Sequence, residues 1–196
     1  MNKFLFALFS FLFFSCQNGK ESFLITGTVP DGKYENEIVY LVPLEGATFE
    51  NVDSTYIKDG RFSFSGTIDS SSIHIIRMKP ILRLLVEELL VIVEPGTIQV
   101  RLDSISQAGG TVLNDALQEW KEKKQTYDLK KHNLIGLAKQ SNNADLTGEI
   151  LKIDSVFSEY NYSFVKTNKD NIVGAFVLKT TRSIFKPEQI SELEEL

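Results

Sequence analysis

The chain has 196 residues, 42% of them hydrophobic and 24% charged, which is enough for one large globular domain or two small ones. Its 21 basic and 26 acidic side chains give a formal charge of −5, which argues against a nucleic-acid-binding protein, because such proteins carry a basic surface. The single cysteine excludes an internal disulfide framework and a zinc site built from several thiolates.

The first fifteen residues predict a secretory signal peptide. Lys3 supplies a positive start, and an apolar run interrupted only by Ser10 extends from Phe4 to Phe14. This run is shorter than the ~20 residues of a membrane-spanning helix and fits the apolar region of a signal peptide. Cys16 follows at the position that the lipobox of bacterial lipoproteins gives to its lipidated cysteine. We therefore predict cleavage before Cys16 and its acylation, with palmitate-type chains.

A lipid anchor at Cys16 predicts a protein of the bacterial cell envelope, with residues 16–22 as a polar tether between the membrane and the folded part. Two or more acyl chains give stable attachment, whereas one chain does not. The sequence leaves open which membrane and which face carry the protein, with the outer membrane as the first expectation. The alternative is an ordinary signal peptide that ends at a chance cysteine.

Residues 23–103 predict an antiparallel β domain. Short alternating runs are separated by turn signals, and in the clearest run Phe62 and Phe64 share one face. Asp59-Gly60, directly before this run, is a strong hairpin signal. Several short strands of this kind indicate a sandwich or a barrel.

Helical periodicity replaces the β pattern after Ser104, so residues 104–196 predict a helical region. Asn114 or Asp115 is suited to cap its first helix. Apolar residues of a second helix recur at spacings of four and three, which favours packing on the first helix. These residues are Leu146, Ile150, Ile153, Phe157, Tyr160 and Phe164. The predicted fold class is α+β, with an N-terminal antiparallel β-sandwich or barrel-like sheet followed by a C-terminal helical hairpin and short helices.

No residue pattern predicts a catalytic, cofactor or metal site. Neither His74 nor His132 has a second ligand three or four residues away, and His74 is better explained as a packed side chain. Glu87 and Glu88 are adjacent on a predicted strand and point to opposite faces, so they do not form a carboxylate pair.

Three further residues are explained better by structure than by function. Asp53, followed by Ser54, is expected to bond local backbone. Trp120 and Tyr127 have helical spacing and are expected in the core rather than on a stacking platform for a ligand.

The runs FLITGTV, VYLVPL, DSTYIKDGRFSFSG, VEPGTIQV and GGTVLNDAL resemble the domain of unknown function 4369 of bacterial envelope proteins. The most specific block contains Asp53, Gly60, Phe62, Phe64 and Gly66. The family commonly precedes a thioredoxin-like module in lipoproteins, and the later runs NKDNIVGAFVL and FKPEQISELEEL resemble its helical linker. The chain has no CxxC pair, so we expect either a fragment of a longer lipoprotein or a split form whose redox partner is encoded separately.

The resemblance implies a non-catalytic, membrane-anchored domain that positions or recognises a partner, namely a thioredoxin-like envelope protein. A lipoprotein that binds peptide or glycan is the alternative, and an enzyme is the least supported class. Pro187 opens a last helix in which Ile190, Leu193 and Leu196 form an apolar stripe. We expect this stripe to lack its usual cover and to support weak self-association or binding of the redox partner.

Overall fold

The structure is a computed structural model that describes residues 20–30, 34–78, 88–141 and 144–194. The predicted lipidation site Cys16 lies outside the described residues, as do Glu87 and Leu196. Strands occupy residues 21–109 of the described part and helices residues 112–194. The elements are β1 (Glu21–Thr28), β2 (Ile38–Pro43), β3 (Asp53–Tyr56), β4 (Arg61–Ile68), β5 (Ser72–Met78), β6 (Glu88–Val93), β7 (Gly96–Arg101), β8 (Gln107–Gly109), α1 (Val112–Ser141), α2 (Ala144–Thr167), α3 (Ile172–Thr181), a 3-10 turn (Arg182–Ile184) and α4 (Pro187–Glu194).

The strands form two four-stranded sheets that pack face to face. The first sheet has the order β4-β1-β7-β8 and the second the order β3-β2-β5-β6. Ile25 and Ile98 of the first sheet and Ile76 of the second are fully buried in the shared core. The predicted α+β class with an N-terminal sandwich is therefore confirmed, and neither sheet closes into a barrel within the described residues.

One strand pair departs from the predicted antiparallel arrangement. β1 and β7 are parallel, with Ile25 opposite Ile98, whereas the other named pairs are antiparallel. Between these two strands the chain forms β2 and β3 of the second sheet, β4 of the first, and β5 and β6 of the second, and it then returns to the first sheet in the direction of β1. A parallel pair requires such a crossover, which the local strand patterns did not reveal.

The predicted hairpin at Asp59-Gly60 is confirmed and links the two sheets. Both residues have positive φ, 51° and 68°, and Lys58 and Arg61 exchange backbone hydrogen bonds across them. This is the geometry that Asp-Gly favours in a tight hairpin. The returning strand places the Phe62 ring over Gly27, where a Cβ atom would lie only 2.0 Å from the ring.

The helices cover the outer face of the second sheet near β6. Ile92 of β6 is fully buried in a second core with Trp120 of α1 and with Val173 and Val177 of α3. α1 and α2 form the predicted antiparallel hairpin, in which Trp120 Nε1 donates a 2.8 Å hydrogen bond to Asn161 Oδ1. The two ends of this bond are buried, so the polar pair is satisfied inside the helical core.

The C-terminal helix does not leave its apolar stripe uncovered at Leu193. Leu193 is 6% exposed and packs into the helical core, and Ile190 is partly buried against the same core. The expectation of an open stripe is wrong here because α4 folds back onto α2, where Glu192 pairs with Lys166 at 2.6 Å. Leu193 is therefore not available for self-association, whereas Leu196 lies outside the described residues, and self-association stays a prediction.

Candidate functional site

The outer face of the first sheet forms a broad polar groove of about 1070 Å³. Strand alternation turns Ile25 and Phe64 into the core, whereas Thr26 and Ser63 are exposed on the opposite face. The helices pack on the second sheet and leave this face open. A face of four strands is thus available for binding.

The strand register aligns charged and polar side chains in rows across the groove. We call one of these the basic row, and its members are Arg61, Thr28, Arg101 and Gln107 on β4, β1, β7 and β8. Arg61 and Arg101 are two strands apart, which corresponds to about 10 Å. Lys58 lies beside Arg61 at the β4 end. A positive stripe thus crosses one end of the sheet in a chain that is acidic overall.

The two arginines of the basic row have different surroundings. Arg101 Nη2 lies 3.4 Å from Gln107 Oε1, and Arg101 Nη1 lies 3.8 Å from a carboxylate oxygen of Asp103. The Arg61 side chain is exposed and has no ion-pair partner among the described residues. Arg61 is therefore the less constrained cation and the one most accessible to an external anion.

The first turns of α1 form one wall of the groove. Asp115 Oδ1 accepts the Gly110 N–H at 2.8 Å, and Gln118 Oε1 accepts the Ala108 N–H at 3.2 Å. Gln118 also donates to Glu122, so acidic groups stand at the β8 side of the groove. Tyr56, which is 57% exposed, contributes to the opposite wall. The groove is therefore basic along one row and acidic at the α1 wall.

A buried carboxylate joins the sheets to the helices. Glu94, at the end of β6, is 6% exposed. Its Oε1 accepts hydrogen bonds from Thr111 Oγ1 at 2.6 Å, from the Leu113 and Asn114 N–H groups at 3.0 Å each, and from Asn114 Nδ2 at 3.1 Å. Glu94 thereby satisfies backbone donors of the first turn of α1, which have no partner within the helix.

Asn114 completes this junction from the helix side. Its Oδ1 accepts the Ile92 N–H at 2.9 Å, and its Nδ2 donates to the Ile92 carbonyl at 2.7 Å. The side-chain amide therefore continues the hydrogen bonding of edge strand β6. The sequence predicted Asn114 or Asp115 as the cap of α1, but the first-turn N–H groups of Leu113 and Asn114 are capped by Glu94, twenty residues before Asn114.

The structure supports structural roles for the residues that the sequence singled out. Asp53 Oδ1 accepts the Ser54 N–H at 2.7 Å, as predicted for a local backbone contact. Trp120 is buried in the helical core, as expected. His74 is partly buried beside Ser72, and burial lowers the pKa of its ring. Glu88 is exposed at the start of β6.

Tyr127 forms a polar bridge within the helical hairpin. Its ring stacks on Phe157 with a centroid separation of 4.0 Å, and its hydroxyl donates to Asp154 at 2.7 Å. Lys131 Nζ lies 2.8 Å from the same carboxylate, and burial is the main cause of the raised pKa of Tyr127. The tyrosine is half-buried rather than fully buried in the core.

Neither a metal centre nor a membrane-spanning helix is present in the described ranges. No group of three or more His, Cys, Asp or Glu side chains among these residues is placed to hold a metal ion. Among the same residues, no helix combines the length and the apolar character that crossing a membrane requires.

These features define an α+β domain in which a β-sandwich is joined to a helical layer by a buried carboxylate. Residues 23–117 match the family model described as Domain of unknown function (DUF4369), and this segment therefore belongs to that family. The match includes both Glu94 and Asn114, and it ends within α1. Neither the curated proteins nor the solved structures include a match to the chain.

Proposed function

We propose that the chain is a non-catalytic, membrane-anchored module of the bacterial envelope that recognises a partner protein through the outer face of its first sheet. The observation that carries this proposal is the uneven cover of the sandwich. Helices cover the second sheet, whereas the first sheet exposes the basic row between two walls. A thioredoxin-like envelope protein is the proposed partner, because proteins that resemble this chain carry such a module.

The size of the open face sets the expected strength of the complex. Four strands at about 4.8 Å spacing and six residues of about 3.3 Å each give roughly 400 Å². A standard interface buries about 800 Å² on each partner. The sheet face alone is thus about half of a standard interface, and we expect a weak, transient complex unless the groove walls also contribute.

The strand direction relates the face to the proposed anchor. Cys16 precedes Lys20 by four residues, and β1 runs from Glu21 to Thr28. At about 3.3 Å per residue, the seven steps from Glu21 to Thr28 cover about 23 Å. Because Thr28 belongs to the basic row, this row lies at the end of β1 that is far from the anchor. A lipid at Cys16 would leave the basic row accessible to a partner.

A peptide or glycan ligand is the second candidate, and the groove composition favours it. Arginine and glutamine side chains with planar hydrogen-bonding groups line the groove together with the exposed ring of Tyr56. A small ligand would use the same face but would not need the area of a protein interface. The two candidates are therefore distinguished by what the face binds.

Charge reversal on the face tests the proposal. Arg61→Glu with Arg101→Glu changes the charge by −4, and Lys139→Glu with Lys152→Glu makes the same change at exposed positions of the helical hairpin. Each form is used to capture proteins from an envelope extract, with identification by mass spectrometry. We expect the unaltered chain and the Lys139/Lys152 control to capture a thioredoxin-like protein. The Arg61/Arg101 variant should capture at least ten-fold less of it.

Two outcomes would contradict the proposal. Capture that is equal for the Arg61/Arg101 variant would show that the partner does not use this face. Absence of a thioredoxin-like protein, together with stabilisation of the chain by a peptide or glycan, would favour the ligand-binding candidate. The fluorescence of Trp120, the single tryptophan, checks that each variant is folded.

A further inference from the structure

A second depression, of about 600 Å³ and wide open to solvent, lies between α1, α3 and the edge of β6. We call it the lysine pocket. Its lining includes the apolar side chains of Leu90, Trp120 and Phe176, with Lys121 and His132 on the α1 side. The Trp120 and Phe176 rings meet edge to face at 5.9 Å between centroids. Apolar walls with few polar groups are typical of pockets for small ligands.

Lys121 is the unusual member of the lysine pocket. Its Nζ has one hydrogen bond, to the Leu90 carbonyl at a long 3.4 Å, and no carboxylate lies within ion-pair distance among the described residues. Its neighbour Lys124, by contrast, pairs with Asp128 at 2.5 Å. Burial lowers the pKa of Lys121 to about 8, and the charge of Glu122 opposes this shift only weakly. A largely buried cation without a counterion is unfavourable, and an external anion would relieve that cost.

Capping of the edge of β6 does not by itself explain why the Lys121 side chain is placed here. Asn114, two turns earlier on α1, satisfies the Ile92 N–H and carbonyl of β6 with bonds of 2.9 and 2.7 Å. Lys121 reaches only a carbonyl, at a greater distance, and it does so beside an apolar cavity. The net charge of the pocket lining is also positive, because the charges of Lys124 and Asp128 cancel and the charge of Lys121 remains.

We propose that the lysine pocket binds a small monocarboxylate with an apolar tail. The carboxylate pairs with the Lys121 ammonium group, and the tail packs against Leu90, Trp120 and Phe176. A single negative charge matches the single unpaired cation, and the apolar lining excludes ligands that are polar throughout. This site lies on the helical layer and is independent of the face proposed to recognise a partner.

The fluorescence of Trp120 provides a direct assay, because this single tryptophan lines the pocket. The purified full chain is titrated with 4-phenylbutyrate, with 4-phenylbutanol as the uncharged analogue, and with butyrate as the short-tailed one. We expect saturable binding of 4-phenylbutyrate, and at least ten-fold weaker binding of each of the other two compounds. Equal affinity for the acid and the alcohol would overturn the proposal.

Two lysine variants isolate the ammonium group. Lys121→Met keeps an unbranched side chain and should weaken 4-phenylbutyrate binding at least ten-fold, whereas Lys123→Met, at an exposed position of the same helix, should leave it unchanged. Lys121→Arg retains the charge and should retain binding if Lys121→Met proves poorly folded. Unchanged binding by a folded Lys121→Met variant, or loss of binding in the Lys123→Met control, would refute the proposed site.

The titration of the amine gives an independent readout. Competitive labelling of Lys121 across pH measures its pKa with and without 4-phenylbutyrate. A carboxylate held beside the ammonium group favours the charged form, so the ligand should raise the pKa of Lys121. A pKa that does not move in the presence of saturating ligand would place the ligand elsewhere and overturn the proposal.

Discussion

Removal of the Glu94 carboxylate should strongly destabilise the chain without changing its surface. The side chain is 6% exposed, and one of its oxygens accepts four hydrogen bonds from Thr111, Leu113 and Asn114. Glu94→Ala removes the acceptor of the Thr111 hydroxyl and of the Leu113 and Asn114 N–H groups and opens a small cavity, whereas Asn114 Nδ2 keeps its bond to the Ile92 carbonyl. Glu94→Gln keeps the shape and one acceptor oxygen but removes the negative charge at the start of α1.

The structure sets the size of both effects. Leaving a buried donor unsatisfied costs about 1–3 kcal/mol, and losses within one network are not additive. We expect Glu94→Ala to lower the free energy of unfolding by about 3–5 kcal/mol. Charge-assisted hydrogen bonds are roughly twice as strong as neutral ones, so Glu94→Gln should lower it by about 1–2 kcal/mol. For a domain of this size, each 1 kcal/mol corresponds to about 2–4 °C in Tm.

Urea unfolding followed by Trp120 fluorescence measures these changes, because the single tryptophan is 3% exposed in the folded chain. Glu149→Gln is the matched control, because Glu149 is exposed on α2 and should change stability by less than about 0.5 kcal/mol. A loss below about 1 kcal/mol for Glu94→Ala would refute the assigned role. An unchanged free energy of unfolding for Glu94→Gln would show that the charge at the helix start contributes nothing.

Four further predictions concern other parts of the chain. Gly27→Ala should lower the free energy of unfolding by about 1–3 kcal/mol, because its Cβ would overlap an aromatic ring, whereas Gly148→Ala, which meets open space, should not destabilise it. Tyr160→Phe should be neutral or stabilising in urea unfolding, because the Tyr160 hydroxyl is buried without a hydrogen-bond partner in the described part of the chain. Below pH 8 the folded chain holds a protonated Lys121 in a largely buried position, which lowers its free energy of unfolding. The free energy of unfolding of the unaltered chain, relative to that of Lys121→Met, should therefore rise by about 3 kcal/mol between pH 8 and 10.5. A difference that does not change with pH would contradict the lowered pKa of Lys121. Cys16→Ser should release the chain from the membrane fraction, and an unchanged fraction with an uncleaved N-terminus would contradict lipidation.

The features that the sequence predicted correctly depend on residues that are close in the chain. The Asp59-Gly60 turn and the alternation of Phe62 and Phe64 need only a few residues to define a hairpin and its buried face. The helical hairpin likewise follows from a seam that repeats every three or four residues, of which Phe157 and Phe164 are buried. In each case the local pattern and the tertiary contacts favour the same structure.

The features that the sequence did not predict depend on pairing between distant segments. Arg61 and Arg101 are far apart in the sequence, and only the register of β4 and β7 on β1 places them in one row. The parallel pairing of β1 and β7 has no local signal. The acceptor for the first turn of α1 comes from Glu94, so the capping pattern near Asn114 indicated where the helix begins but not how it is held.

The cover of the C-terminal stripe was mispredicted for a related reason. The spacing of Ile190 and Leu193 defines an apolar side of α4, but it does not say which surface that side meets. In the structure the chain turns back after α3, so that α4 packs on α2 and Leu193 is covered from within the same chain.

Several residues in the runs that resemble the family are buried and have structural roles. The runs VEPGTIQV and GGTVLNDAL contain Glu94 and Asn114, whose side chains form the hydrogen bonds that join β6 to α1. Gly27, in FLITGTV, is required by the ring that lies over it. These signature residues are thus explained by the architecture, and they are buried where a ligand does not reach them. The two proposals therefore rest on surfaces outside these buried positions, namely the exposed Arg61 and the pocket beside Lys121.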